Sequence, residues 1–395
     1  MRKMFTSIWK QNNKEEMRDT HHSYLYSTGR PIWMERNYEQ FAREAYIQNV
    51  IVFRAITMIA QAASSVKVNV YETISGIKQL SEKHDFAHLL SKPNPLQSGR
   101  ELLEEIYTYR QIHGNAYLLA SYNQKDVPCE LYSIRPDRIK VLAGANFLPL
   151  GYRYEVNNKR QDYFVDQLHG KSQILHIKNF HPLSDWYGLS SIEAAAYSID
   201  QHNQAGAWNQ SLLQNGARPS GAVIVKDAEG KPTTLNAEQF ARLKGMIDEN
   251  FSGAQNSGKP MILEGGLEWR EMSLSPKDMD FLDCKHSAAR DIALAFGVPP
   301  QLLGIPGDNT YSNLKEARVA LWEQTVIPMV DNTLKNIEKW LNLFLDSELE
   351  LRYDIDSVSI FASKRDAMWE RVKDANFMTD DEKRSSVGLC PVSIR

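Results

Sequence analysis

Residues 190–215 read SSIEAAAYSIDQHNQAGAWNQSLLQN, and residues 277–296 read KDMDFLDCKHSAARDIALAF. Each has the length and residue choice of a helix. The first opens on small side chains and then fills with amides: Gln201, Asn203, Gln204, Asn209 and Gln210. Gly216 ends it and Pro219 bars continuation, while Gly297 and Pro299–Pro300 end the second. At ~1.5 Å per residue the first helix spans roughly 35–40 Å. Between the two lies a small α+β insert over residues 221–272: a strand GAVIV, a helix AEQFARLKGMIDENF, a Gly/Ser/Asn loop, then strands in PMILEG and LEWREM. Helices this polar are expected where both faces meet neighbours or solvent, rather than in the core of a monomer. Helix, insert and returning helix together set the architecture.

Upstream, residues 1–36 are polar with scattered aromatics and read as an arm. From Tyr38 to Ser64 apolar residues recur at helical spacing, and Val66, Val68 and Val70 then alternate as a half-buried strand. Ser98 and Glu101 form a capping box for a helix that stops at Gly114, with a strand over 116–122. Residues 130–180 are strand-rich (LYSIRPDRIKVLAG, LGYRYEV, DYFVD, ILHIKNF) without a βαβ rhythm, which predicts an antiparallel or mixed sheet. Downstream, PPQLLGIPGDNTYSN reads as a long loop. Asn313 and Glu316 resemble a second capping box, opening a helix to Leu345. Pro328 sits inside that helix, so a kink is expected near Gln324, the carbonyl its ring crowds. A short strand (349–353) and two helices follow, the last opened by a box at Thr379 and Glu382.

The 395 residues, 42% hydrophobic and 24% charged, have the balance of a folded chain of two or three domains. A net charge of −3 argues against a dedicated grip on nucleic acid, and it does not exclude a surface that DNA slides past. Cys129, Cys284 and Cys390 are odd in number and widely spaced, with no CxxC, so neither a disulfide framework nor a zinc ribbon is expected and a reducing compartment fits. The basic start MRKMFTSIWKQNNKEEMRD lacks the apolar core of a signal peptide. No stretch reaches the ~18 apolar residues of a membrane span.

Chemistry is sought and not found. Gly253 to Gly258 followed by Lys259 matches a phosphate loop up to the last position, where Pro260 replaces the magnesium-binding hydroxyl. A helix precedes this stretch and a strand follows it, the reverse of a true phosphate loop, so a surface turn explains the glycines better. His169, His176 and His181 are seven and five apart, unlike zinc ligands on one strand or helix. Asp278, Asp280 and Asp283 suit the start of a helix, where carboxylates face the dipole. Ser190 and Ser191 lack a G-x-S-x-G setting. No catalytic, cofactor or metal site is expected, which favours a structural protein.

In order and spacing the chain resembles the portal family of long-tailed bacteriophages, from about Tyr46 to Val392. The stretches that carry the resemblance are AYIQNVIVFRAITMIAQAASS, LLSKPNPLQSGRELLEEIYTYRQIHGNAYLLA, YGLSSIEAA, QNGARPSGAVI, MILEGGLEWREMSLSPKDMDFLD, ARDIALAFGVPPQLLG and YSNLKEARVALWEQTVIPMV. Such a resemblance implies an α+β, ring-forming portal fold. It would consist of an N-terminal arm (1–36), a mixed-sheet wing (37–189), stem helices (190–216 and 276–297) bracketing a clip (217–275), a tunnel loop (298–312), a kinked tunnel helix (313–346), and a wing return with a reduced crown (347–395). The tunnel loop against DNA would comprise Leu303, Gly304, Ile305, Pro306, Gly307, Asp308, Asn309, Thr310, Tyr311 and Ser312. The clip would meet partners near Phe240, Leu243, Met246, Gly253, Gly258 and Lys259. The implied partners are further copies in a ring of typically twelve, the large terminase subunit, a head–tail adaptor, the major capsid or scaffold protein, and double-stranded DNA without sequence specificity. The implied place is the capsid vertex of a virion assembled in the host cytoplasm, with no membrane and no cofactor. Two rival classes are an adaptor or capsid protein, which would lack the helix–insert–helix pattern or the length, and a non-viral α+β enzyme using Asp/His chemistry.

Overall fold

Asn49 governs how the chain enters the body of the molecule. In this computed structural model, residues 34–74, 77–81, 84–144, 148–214, 221–226, 231, 233–251, 267–271, 281–307, 311–345 and 348–387 are described. Asn37 caps α1 (Tyr38–Gln40), which continues as a π-helical turn, Phe41–Ile47. The chain then bends by 98° into α2 (Val50–Ser64). The continuous helix expected over 38–64 is therefore two pieces. The Asn49 Oδ1 accepts from the N–H groups of Ile51 and Val52 at 3.1 and 3.2 Å, an N-cap that requires extended backbone where a helix would have to pass.

After β1 (Val68–Ile74) and β2 (Ile77–Leu80) come α3 (Asp85–Ser91) and α4 (Gly99–His113). The Ser98–Glu101 capping box opens α4, and Gly114, at φ +75°, closes it. A strand region follows: β3 (Asn115–Tyr122), β4 (Pro128–Ile134), β5 (Ile139–Leu142), β6 (Gly151–Val156), β7 (Lys159–Phe164) and β8 (Ile174–Lys178). Next come α5 (Ser191–Gln214), β9 (Gly221–Val225), α6 (Ala237–Phe251), β10 (Leu267–Glu271) and α7 (Phe281–Ala295). The chain ends in α8 (Tyr311–Leu321), α9 (Ile327–Leu341), β11 (Leu349–Tyr353), α10 (Ala362–Lys373) and α11 (Asp380–Ser386), whose Thr379–Glu382 capping box forms.

The sheets are small, with strand orders β11-β1-β2, β4-β3-β8, β5-β6-β7 and β10-β9. Every described ladder is antiparallel, so the mixed sheet expected over 37–189 is corrected: consecutive strands there pair through short antiparallel links. The main core joins Ile56 and Ile59 of α2, Ile106 and Tyr107 of α4, and Leu334 and Ile337 of α9. Each isoleucine buried this fully contributes on the order of 1.5–3 kcal/mol. A second cluster, with Tyr117, Tyr152 and Ile174, lies between two of the sheets. No single described helix is long and apolar enough to cross a membrane.

Two readings of the segment after α7 need correction. Asn313 does not open a helix: α8 begins at Tyr311 and already contains it. The expected loop from Pro299 to Ser312 is partly regular, because Pro300–Leu303 form a 3-10 helix and Tyr311 and Ser312 are helical. Pro299, with its fixed φ, sets up that short turn.

Candidate functional site

The start of α5 is fixed by backbones in contact. A Cβ on Gly114 would lie 2.3 Å from the Gly188 carbonyl oxygen, and one on Gly188 would lie 2.2 Å from that of Gly114. Only glycine allows this approach, which sets the end of α4 against the turn before α5. Asn115, fully buried, seals the junction. Its Oδ1 accepts from Gly188 N–H at 2.7 Å and His176 Nε2 at 2.9 Å, and its Nδ2 donates to the His113 carbonyl at 2.8 Å. Asn179 donates to the Leu189 carbonyl and accepts from the Arg110 guanidinium, which also donates to Thr333 of α9 at 2.7 Å. Ser190 then caps α5 through the Glu193 N–H at 2.8 Å.

From this root α5 runs against α7. Ser198 bonds Asp291 and Gln201 bonds Cys284, so one helix ascends as the other descends and the pair is antiparallel. Ile192, Ala195, Ala196 and Ile199 of α5, and Ala288, Ala289, Ile292 and Ala293 of α7, are buried at the body end. The far end is different. Beyond Ala205 on α5 and before Ala288 on α7, no described side chain is buried. Tyr197, Gln201 and Gln204 of α5 are exposed and uncharged, while Glu193, one turn before Tyr197 on the same side, is half-buried and Asp200 is buried. The insert stands beyond this end in sequence: β9 and β10 pair with Val223 opposite Trp269, and α6 carries Phe240 exposed, Leu243 half-buried and Met246. Gly253, Gly258 and Lys259 lie outside the described residues.

The segment after α7 is tied back to it. Gly297, at φ +64°, ends the helix, and its carbonyl accepts from Thr325 Oγ1 at 2.7 Å. Ile305 is buried against Ala289 and Ala293, and Arg290 donates to the Pro306 carbonyl. Of the residues expected in the loop, Leu303 to Gly307 are described and Asp308, Asn309 and Thr310 are not. Between α8 and α9, a π-helical turn covers Trp322–Val326 and includes Gln324. Pro328 supplies no N–H for the Gln324 carbonyl, which accounts for the change of register there.

The three histidines are not brought together. His169 pairs with Asp166, His181 accepts from Leu183 N–H, and His176 stacks on Tyr117 with ring centroids 4.4 Å apart. Burial, reinforced by Lys178, pushes His176 down to about 3, and burial takes His113 to about 4 against the pull of Asp137. Among the described residues, no three His, Cys, Asp or Glu side chains are placed to hold a metal ion. The hub residues Asn115, Asn179 and Arg110 were not singled out from the sequence. The one local signal, Gly-Asn directly after a helix, reads only as a helix stop.

The site is thus an antiparallel helix pair rooted on an α+β body, with buried side chains at its root and none described as buried beyond Ala205 and before Ala288. The family model described as "Phage portal protein" matches residues 50–388, and the chain belongs to that family: it is a portal protein, a ring-forming structural component of the DNA channel at a capsid vertex, and not an enzyme. Among its relatives, a protein of Rickettsia bellii (strain RML369-C) is 46% identical over 88% of each chain. The portal protein of Enterobacteria phage HK97 is 23% identical over 88% of this chain and 80% of that one. Among solved structures, the neck of a native gene transfer agent particle, computed with C12 symmetry, is similar at 40% identity and a TM-score of 0.69, covering 92% of this chain and 96% of that one.

Proposed function

We propose that α5 and α7 are the stem of a twelve-membered ring, with residues 217–275 as the clip at its outer end. Residues 298–312 form the tunnel loop, residues 313–346 the kinked tunnel helix behind it, and residues 347–395 a wing return with a reduced crown. The ring passes double-stranded DNA without sequence preference during packaging, retention and ejection. The clip engages the large terminase subunit and later a head–tail adaptor, while the wing meets the major capsid or scaffold protein. The observation that carries this reading is the α5–α7 pair, rooted in buried alanines and isoleucines yet without a buried described side chain beyond Ala205 and before Ala288. A ring of copies supplies the missing cover. The twelve-fold count draws support from the neck structure at 40% identity. Electron microscopy of the purified chain, alone or in particles, tests it: twelve-fold rings with α5 and α7 along the channel are expected. A species that remains monomeric in every condition and within particles defeats the proposal.

A further inference from the structure

We infer that Arg290 and Ile305 are positioning residues that moor the tunnel loop to the second stem helix, making the loop a tethered collar. The inference rests on the tunnel-loop reading above and adds what sets the loop's place. Gly304, at φ +71°, turns the chain out of the 3-10 helix. Ile305 then drops back onto α7, 4% exposed, against Ala289 and Ala293. These alanines are four residues apart, so they lie on one face and leave a shallow seat between small side chains. One residue on, the Pro306 carbonyl accepts from Arg290 Nη2 at 2.5 Å. Gly307 passes so close that a Cβ there would lie 3.2 Å from the same nitrogen. An apolar knob and a charge-assisted hydrogen bond thus hold consecutive residues to consecutive positions of α7.

The consequence is geometric. Only residues 308–310 separate the moored Gly307 from Tyr311, where α8 begins. Three residues reach about 10 Å at full extension, so the moored Gly307 is held within a short reach of the start of α8. The same helix is fixed at its end, where Gly297 accepts from Thr325 in the π-helical turn. A tilt of α7 therefore carries the loop and the long helix with it.

The test uses full-length rings free of DNA, with Arg290→Met, Arg290→Lys and Ile305→Ala. Hydrogen exchange is read on peptides covering 303–307, with peptides of α5 as the internal reference, and particles made from each variant are scored for DNA filling and retention. The expected result for Arg290→Met is exchange faster by roughly tenfold at 303–307, unchanged α5, unchanged ring size, and impaired retention. Arg290→Lys, which keeps a donor of similar reach, should return both readouts towards the parent, and Ile305→Ala should repeat the Met phenotype. Unchanged exchange in both Arg290→Met and Ile305→Ala overturns the mooring. Impaired retention without faster exchange also overturns it, since Arg290 then acts by its charge. Faster exchange with parental filling and retention leaves the mooring standing but sinks the tunnel-loop reading, so the two failures are distinguishable.

Discussion

Asn115 joins three segments that the chain brings together from far apart. It is fully buried, and its loss strands the Gly188 N–H and the His113 carbonyl without their side-chain partner. Asn115→Ala should therefore cost about 3 kcal/mol in urea unfolding, above the cost of an average substitution. His176 and His113 give the same junction a pH dependence. Their folded values, about 3 and about 4, lie below the ordinary imidazole value, so only the unfolded chain takes up protons as pH falls below about 6.5. Stability is fully present above that pH and declines towards pH 4, by at most about 1.4 kcal/mol per pH unit for each histidine. Melting curves from pH 7.5 to 4.5 should show this decline, and His176→Gln should flatten it. None of this was legible in the sequence. Gly114 reads as a helix stop, but its contact with Gly188 joins positions 74 apart, and a single sequence gives no sign that two glycines meet.

Elements were more legible where the signal was local. The capping boxes at Ser98 and Thr379 form, because each needs only its own first turn. The same pattern at Asn313 misled, since Tyr311 and Ser312 had already joined α8. The apolar period through residues 38–64 hid the break at Asn49, where the cap is reinforced by a bond from Asn49 Nδ2 to Asn203 of α5 at 2.8 Å. Pro328 acts locally: the N–H it lacks would meet the Gln324 carbonyl four residues back, inside the π-helical turn Trp322–Val326. At this scale the loop makes its own prediction. Removing Pro306 to Asn309 should leave rings that assemble normally but package or retain DNA poorly, measured as the fraction of filled particles. Particles that fill and hold DNA like the parent would reduce the segment to a connector.

At the scale of the whole molecule, net charge and assembly set the expectations. With a net charge of −3, contacts to DNA should be few, directed to phosphates and weakened by salt. Binding measured between 50 and 200 mM salt should fall without regard to sequence, and a footprint at one defined site would count against this. The pure chain should hydrolyse no ATP, because Pro260 cannot hold magnesium, and Lys259→Ala should package as the parent does.

The glycine contact at the root of α5 has a further effect once copies close into a ring. A helix of 24 residues is about 36 Å long, so each degree of tilt at Gly114 and Gly188 swings its far end by about 0.6 Å. The helix is a lever, and its fulcrum admits no side chain. Any substitution that pries the two backbones apart is magnified at the tip, where neighbours must meet within packing distance all the way round. Faults at these two positions should therefore surface as rings that fail to close, in subunits that have otherwise folded.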